Sequence, residues 1–262
     1  MKKTAVHWLA ILGLLLPALS TAGRTVQLGA DKDKTFQNVY ALISESDLYC
    51  SFFVLEDEPW LRIAAGDRGG EKMLLADGDL FYFKAGPDED LKEGQVMMVL
   101  EIGPKVGGLG LKRSPGPVVY RRGRARLVRF DKDFAVGRVE KACGPVMVGH
   151  YLVPFAEKEG LLGKDLGFDS PLRDGESLSG RIIFLDNQFF QIGPGQWALI
   201  DLGREQGLQV GRQLTLVHQA VKGLPSEAVG NAIVIDAGRV TSTIKVLSAK
   251  DAIILGDLVQ VK

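Results

Sequence analysis

A pattern of glycines and apolar runs occurs twice in this chain, and this repeat restricts the possible folds more than any other feature. Residues 78–101 align without a gap with residues 195–218, at an offset of 117. Residues 123–155 align in the same way with residues 230–262, at an offset of 107. The loop between the two blocks is therefore ten residues longer in the first copy. We infer an internal duplication from this register.

The residues that coincide in the two copies are mostly glycines and small or apolar side chains. The aligned pairs include Gly78 with Gly195, Leu91 with Leu208, Gly94 with Gly211, Gly123 with Gly230, Val139 with Val246, Ala142 with Ala249 and Gly149 with Gly256. Upstream of both blocks, FFVLEDE (52–58) matches IIFLDNQ (182–188). We predict turns with positive φ at the glycines that precede a strand, because glycine adopts this conformation at little steric cost.

The repeated runs predict β-strands. They are short, rich in Val, Ile, Leu, Phe and Tyr, and bounded by Gly, Asp and Pro, which is typical of strands joined by turns. Charged and apolar residues alternate along 124–130, as expected for a strand with one buried face. About six short strands in each copy favour a small closed barrel, which leaves no exposed edge. We therefore predict an all-β protein of two tandem, small barrel-like modules.

The first residues predict a secretory signal peptide. Lys2 and Lys3 precede an apolar run, Val6–Leu16, and Ser20 and Ala22 are the small residues of a cleavage site. A transmembrane anchor is the alternative, but the run is too short for ~30 Å of hydrocarbon. We expect cleavage after Ala22, export to a bacterial periplasm, and no membrane span in the mature chain.

The repeat and the signal peptide together divide the chain into five segments. These are a signal peptide (1–22), an N-terminal lead-in (23–49), a first β-module (50–155), a linker (156–179) and a second β-module (180–262). Residues 39–43 of the lead-in predict one further strand for the first module. Lys and Arg number 32, as do Asp and Glu, and this balance argues against nucleic acid as a partner.

The two cysteines, Cys50 and Cys143, are expected to form a disulfide in an oxidising compartment. Two buried thiols are the alternative. A bridge would tie the start of the first module to the turn before its last strand.

The pattern of each copy resembles a known kind of module. GD before an apolar pair, a glycine-centred turn (LKEG at 91–94, LQVG at 208–211) and a final I-x-x-GD-x-V are similar to β-modules of bacterial periplasmic proteins that also carry LysM domains. They also resemble the C-terminal β-barrel of the flagellar assembly protein T family. SESDLYC (44–50) looks like the start of such a module. The resemblance implies a periplasmic envelope protein that binds or scaffolds. A LysM unit itself is not found in the sequence, so glycan binding through LysM is not implied.

A basic stretch that only the first copy contains is the main binding candidate. Its residues include Lys112, Arg113, Arg121, Arg122, Arg124 and Arg126. Arg124 and Arg126 alternate with apolar residues, so we expect them on one outer strand face. That face suits anionic envelope material or an acidic partner. The alternative is that these arginines are solvated and pair with nearby acids.

Trp60, in EDEPWLRI, is a second binding candidate. Neither His150 nor His218 has a metal-ligand or catalytic partner at motif spacing, and we interpret both as polar turn residues. Nucleophile, phosphate-loop and metal motifs are lacking in the sequence, so we expect neither an enzyme nor a cofactor. The sequence thus predicts a non-enzymatic periplasmic interaction or scaffold protein with an envelope-protein partner. Peptidoglycan or another anionic glycan is the alternative ligand, and an enzyme of unknown class is the less favoured one.

Overall fold

The described residues are almost entirely β-structure. The computed structural model describes residues 40–57, 59–85, 90–107, 114–131, 134–168, 178–186, 189–218 and 226–262, all within one compact unit. The first part of this unit contains β1 (Tyr40–Ile43), α1 (Glu45–Cys50), β2 (Phe52–Val54), β3 (Ile63–Gly66), β4 (Leu74–Leu75), β5 (Leu80–Phe83), β6 (Val96–Lys105), β7 (Pro117–Asp131), β8 (Phe134–Ala142), β9 (Val146–Met147), β10 (Tyr151–Pro154) and β11 (Leu161–Gly163).

The second part contains β12 (Ser179–Leu185), β13 (Gln191–Ile192), β14 (Trp197–Ile200), β15 (Gln213–His218), β16 (Glu227–Ala237), β17 (Ser242–Ala249), β18 (Ile253–Ile254) and β19 (Leu258–Val261). Short 3₁₀ turns occur at Arg68–Gly70 and Arg204–Gln206. The prediction of an all-β protein is confirmed for the described residues, apart from these turns and α1.

A seven-stranded antiparallel sheet forms the first β-region. Its order is β10-β6-β7-β8-β5-β3, and β2 adds to β7 outside this path. An isolated bridge between Arg62 and Tyr151 links the two ends of the path. The sheet curves around a core that includes Phe81, Phe83 and Met97. Gly137 makes that packing possible, because a Cβ there would lie 2.2 Å from the Phe81 ring.

A closed six-stranded barrel forms the second β-region. The order is β12-β14-β17-β16-β15-β19, and β19 pairs back with β12. Closure leaves none of these strands with an exposed edge. Aliphatic side chains such as Ile182, Leu214 and Val234 fill the interior.

The predicted turn glycines have the expected backbone. The φ angles are 83° at Gly94, 88° at Gly211, 96° at Gly149 and 94° at Gly256. Each lies in the left-handed region, where a side chain would be strained. These turns are therefore encoded locally.

Two predictions about the start of the modules are wrong. β1 pairs with β11 of the linker, not with the first sheet, and its Leu42 and Ile43 pack against the barrel. The match of residues 52–58 to 182–188 also fails. In the barrel, β12 pairs with β14. In the first sheet, the strand that pairs with β5, the counterpart of β14, is β3 and not β2.

The linker is anchored to the barrel by a buried polar network. Asn231, fully buried, donates to Asp165 and to Gln213 Oε1, the latter at 2.7 Å. Gln213 Nε2 in turn donates to the carbonyl oxygen of Lys164 at 2.9 Å. Burial raises the pKa of Asp165, but hydrogen bonds from Ser248 and others hold it below its ordinary value.

Residues 1–39 lie outside the described residues, so the signal peptide stays a prediction. Among the described residues, none of the helices is long and apolar enough to cross a membrane.

The disulfide between Cys50 and Cys143 is confirmed, with its Cα atoms 5.3 Å apart. It joins the end of α1 to the residue after β8. The bridge therefore ties the helix to the first sheet.

Removing this bridge should destabilise the protein. Replacing both cysteines by serine opens a loop of 93 residues, and the chain-entropy model gives a loss of up to about 4 kcal/mol in the free energy of unfolding. Urea unfolding of the double variant, against the oxidised and the dithiothreitol-reduced native chain, measures this loss. The variant and the reduced chain should share one lowered midpoint. If the double variant and the reduced chain both unfold at the urea midpoint of the oxidised chain, the disulfide does not stabilise the fold.

Candidate functional site

The predicted basic face lies on β7. Arg122, Arg124 and Arg126 alternate there with the buried Gly123 and Ala125. The shared outer face predicted for Arg124 and Arg126 therefore follows from strand alternation. The indentation left by Gly123 is needed for close packing, since a Cβ at this residue would lie 2.5 Å from the carbonyl oxygen of Lys141.

These three arginines pair with carboxylates on neighbouring strands. Arg122 Nε donates to Glu101 on β6, and Arg126 Nε donates to Glu140 on β8. Arg124 Nε lies 3.2 Å from Glu140 Oε2, which is an ion-pair distance, although the geometry is not that of a hydrogen bond. Arg124 and Arg126 share Glu140, and Arg124 Nη1 also lies 3.9 Å from Glu45 of α1. Each of the three arginines therefore has a carboxylate partner within the fold, as the alternative of solvated, paired arginines expects.

Lys112 and Arg113, the other basic candidates, lie outside the described residues. A binding role for the basic stretch stays a prediction, and its described outer-face arginines are already in ion pairs. Arg121 is placed differently. The register between β6 and β7 shifts between Val99 and Leu100, so Arg121 lies opposite Leu100 and lines the same cavity.

Arg121 is buried where the first sheet meets the barrel. Its guanidinium donates to Ser51 Oγ at 3.0 Å and to Asp236 of β16. It also lies over the Phe53 ring, 4.4 Å from the centroid. Lys158 of the linker donates to the same Asp236 carboxylate at 2.9 Å. Two segments of the chain, β7 and the linker, therefore each bring a cation to one acid of the barrel.

The charge state of Asp236 follows from these contacts. Burial raises its pKa, but the Arg121 and Lys158 charges and hydrogen bonds outweigh burial and hold the pKa below its ordinary value. Asp236 is therefore ionised at neutral pH. The two cations share one carboxylate, so the cluster of Arg121, Lys158 and Asp236 carries one surplus positive charge.

A second buried acid, Asp47, joins α1 to the barrel. Trp197 Nε1 donates to its Oδ1 at 3.0 Å, and Lys245 Nζ donates to its Oδ2 at 2.7 Å. The backbone N–H of Ser44 also donates to Oδ2 at 2.8 Å, while Asp47 N–H donates to Ser44 Oγ. This reciprocal pair is a capping box that starts the helix. Burial raises the pKa of Asp47, but Lys245, Ser44 and Trp197 together lower it.

Apolar contacts complete the junction. Phe52 of β2 meets Phe184 of β12 edge to face, with ring centroids 5.4 Å apart. Thr243 Oγ1 donates to the carbonyl oxygen of Phe52 at 2.7 Å. Both an aromatic contact and polar contacts therefore join the first sheet to the barrel.

Two neighbouring cavities lie in this region. One cavity of about 370 Å³ is lined by residues that include Leu55, Leu100, Arg121, Asp236 and Ser242. An adjoining cavity of about 260 Å³ is lined by residues that include Trp60, Asp90, Gln95 and Pro154. Pro59 and Val153 line both cavities. The second cavity is lined by residues of the first β-region alone, and we name the two cavities together the junction groove.

The two ends of the junction groove differ in chemistry. Trp60, 61% exposed, stands at one end. At the other, Arg121 and Lys158 contact Asp236. Trp60 is therefore a predicted binding residue that the structure places in a cavity, whereas Arg122, Arg124 and Arg126 do not line the groove.

The two histidines lie in different local structures and have different partners. His150 Nδ1 accepts from the backbone N–H of Met147 at 3.2 Å, which agrees with a polar turn residue. Burial lowers the pKa of His150, so the ring is neutral and able to accept. The interpretation of His218 as a turn residue is wrong, because His218 is the last residue of β15. Its ring lies 2.7 Å from the buried Asp257, a contact that motif spacing does not reveal.

Within the described ranges, no group of three or more His, Cys, Asp or Glu side chains is placed to hold a metal ion. No protein-family model matches this sequence, and a search of curated proteins found no match either.

Sequence reasoning missed the two buried acids of the junction, Asp47 and Asp236. One signal for Asp47 was present, since Ser44-x-x-Asp47 is a helix-start pattern. Asp236 has no such signal, because its partners are distant in sequence.

Replacing Asp47 by Asn should weaken the fold at neutral pH. The change leaves Lys245 buried without its carboxylate, and we expect a loss of about 2–3 kcal/mol in the free energy of unfolding at pH 7. The depressed pKa of Asp47 adds stability above the unfolded value of about 3.9, and this stability disappears as the pH falls through the folded value. The difference between native chain and variant should therefore shrink toward pH 3.

Urea unfolding at pH 7, 5 and 3 measures this effect. Asp251→Asn, at an exposed turn, is the matched control and should change stability little at any pH. A native-to-Asp47→Asn difference that stays constant from pH 7 to pH 3 would contradict the charged role of Asp47.

Proposed function

We propose that this chain is a non-enzymatic interaction protein of the bacterial envelope, in which two copies of one β-module form a platform for a partner. The observation that carries this proposal is the junction groove, whose charged side chains are paired with one another. Arg121 and Lys158 contact Asp236, and Arg204 lies 3.5 Å from Glu56. Charged side chains that are held in ion pairs are less suited to proton transfer than to recognition of a partner.

The strand order supports the duplication. The path β3-β5-β8-β7-β6-β10 of the first sheet has the same form as the order β12-β14-β17-β16-β15-β19 of the barrel. From β5 and β14 onward, strands at equal positions are those that the sequence repeat aligns. Ile63 N donates to His150 O at 2.9 Å, and Ile182 N donates to Asp257 O at the same distance. We therefore propose that the first sheet and the barrel derive from one ancestral module.

Export to the periplasm is part of the proposal. The sequence of residues 1–22 has the features of a signal peptide, and the Cys50–Cys143 bridge is compatible with an oxidising compartment. Cleavage after Ala22 would give a mature chain that begins at Gly23.

The partner proposed first is an envelope protein. The walls of the junction groove are mainly apolar, with Phe53, Leu55, Leu100 and Val153 among them, and apolar walls of this kind are typical of protein docking sites. The resemblance to LysM-associated and flagellar assembly modules agrees with this partner class.

A glycan is the second candidate ligand, because of one end of the groove. Trp60 stands there beside Asp90 and Gln95, and an exposed aromatic ring with carboxyl and amide groups suits a sugar. Peptidoglycan is the glycan that an envelope location would supply.

Photocrosslinking in the bacterium that carries the gene tests the protein-partner proposal. A benzophenone amino acid at position 60 should give a discrete protein adduct. The same group at position 130, where Phe130 is exposed outside the groove, is the matched control and should not give it. Equal products from both positions, or none from position 60, would contradict the proposal.

Cosedimentation with purified peptidoglycan sacculi tests the second candidate. If the protein partner is correct, the mature chain stays in the supernatant at low salt. Sedimentation of the native chain that is lost on Trp60→Ala would replace the protein partner by a glycan.

A further inference from the structure

We propose that the outer face of β5, β7 and β8 binds an acidic segment of a protein partner, whose carboxylate pairs with Arg138. The residues of this face are Leu80, Tyr82, Arg126, Arg129 and Arg138, and we name it the Arg138 face. It lies outside the junction groove, so the inference goes beyond the proposed function. The equivalent face of the barrel already binds an acid within the chain, and that contact is the model for this one.

The Arg138 face and its counterpart on the barrel correspond in sequence and in strand register. Arg138 of β8 aligns with Lys245 of β17 at the repeat offset of 107. On the adjacent strands, the aligned neighbours of these two cations are Leu80 with Trp197 and Arg126 with Ile233. The cation therefore stands at the same place in both copies.

The barrel face is covered by the N-terminal elements of the chain. Lys245 Nζ donates to Asp47 Oδ2 at 2.7 Å, and Trp197 Nε1 donates to Oδ1 of the same carboxylate at 3.0 Å. Ile233 packs with Leu48 in a buried apolar cluster. The barrel face thus binds the acidic first turn of a helix.

The contact between the two β-regions uses different faces of the two copies. The first β-region contributes α1, β2 and Arg121, whereas the barrel contributes β14, β16 and β17. A heterologous contact of this kind does not use the same surface on both members. The surface that the barrel uses is therefore left over on the first sheet, where it is the Arg138 face.

The Arg138 face is exposed and carries a surplus of positive charge. Arg126 shares the carboxylate of Glu140 with Arg124, whereas neither Arg129 nor Arg138 forms an ion pair with a described residue, and both are exposed. The charged residues of 124–131 and 134–142 are Arg124, Arg126, Arg129, Arg138 and Lys141 against Asp131 and Glu140. This surplus selects an acidic occupant.

The residue types of the face suit a protein partner that binds reversibly. Arg and Tyr are enriched at the positions that carry most of the energy of protein interfaces, and Tyr82 and Leu80 are half-buried beside the arginines. An arginine guanidinium can bind a carboxylate through two parallel hydrogen bonds, so Arg138 suits the same ligand group as Lys245. Permanent interfaces are more apolar, as the barrel face is with Trp197 and Ile233.

Binding of synthetic peptides to the full mature chain tests this inference. The probes are a library of short, acetylated and amidated peptides that contain S-x-x-D-L, the pattern of residues 44–48, and matched peptides with Asn in place of the Asp. Fluorescence polarisation of the labelled peptides reports binding. We expect the Asp peptides to bind and the Asn peptides to bind about tenfold more weakly. Added salt should weaken the binding of the Asp peptides, because the contact is exposed.

Three variants tie the binding to the Arg138 face. Arg138→Ala should remove the difference between Asp and Asn peptides, and Arg138→Lys should keep it, because a lysine binds the acid on the barrel. Lys141→Ala removes an exposed cation from the same strand and is the matched control, which should bind as the native chain does. Arg138 is exposed, so its variants should melt at the native temperature.

Several results would overturn the inference. These are no peptide binding at millimolar concentration, equal binding of Asp and Asn peptides, or binding unaffected by Arg138→Ala. Binding of phosphatidylglycerol vesicles that is lost on Arg138→Ala, without peptide binding, would assign the face to a membrane. Trp60→Ala should leave peptide binding unchanged, so the crosslink at position 60 decides the proposed function separately.

Discussion

A single buried carboxylate, that of Asp47, connects the parts of this structure. It caps the first turn of α1 through Ser44, and it accepts hydrogen bonds from Trp197 and Lys245 of the barrel. The same helix ends at Cys50, which the disulfide ties to the first sheet. Six residues of helix thus link one β-region covalently and the other electrostatically. So short a helix is not stable in water alone, so these contacts must hold it in place.

The Arg121 and Asp236 pair acts on the other side of the junction. Burying two charges costs desolvation energy, and their attraction offsets that cost only when the geometry is good and the remaining polar atoms are bonded. Ser51 and Lys158 supply those further bonds, and the Phe53 ring covers the guanidinium. Hydrogen bonds and ion pairs have preferred directions, so these contacts favour one arrangement of sheet and barrel. Apolar contacts alone would allow a wider range of arrangements. The groove lies where that arrangement leaves the two surfaces apart.

Features encoded within a few residues were predictable from the sequence. The strands follow from short apolar runs, and the turns at Gly94 and Gly211 follow from glycine before a strand. The disulfide joins distant residues, but it could be expected because the sequence contains two cysteines. Other features that depend on distant partners were not predictable. Tyr40–Ile43 reads as a strand, but only the packed structure shows that it pairs with the linker. Arg121 has the same side chain as its neighbours Arg122 and Arg124, and only the packed structure shows that it is buried against Asp236 of the barrel. The groove itself follows from the arrangement of the two β-regions and has no local signature.

The buried polar contacts should make the first sheet and the barrel one cooperative unit. Differential scanning calorimetry of the intact oxidised chain measures this cooperativity, because independent modules would melt separately. We expect one transition, with a calorimetric enthalpy equal to the van't Hoff enthalpy. Two resolved transitions, or a calorimetric enthalpy near twice the van't Hoff value, would contradict it.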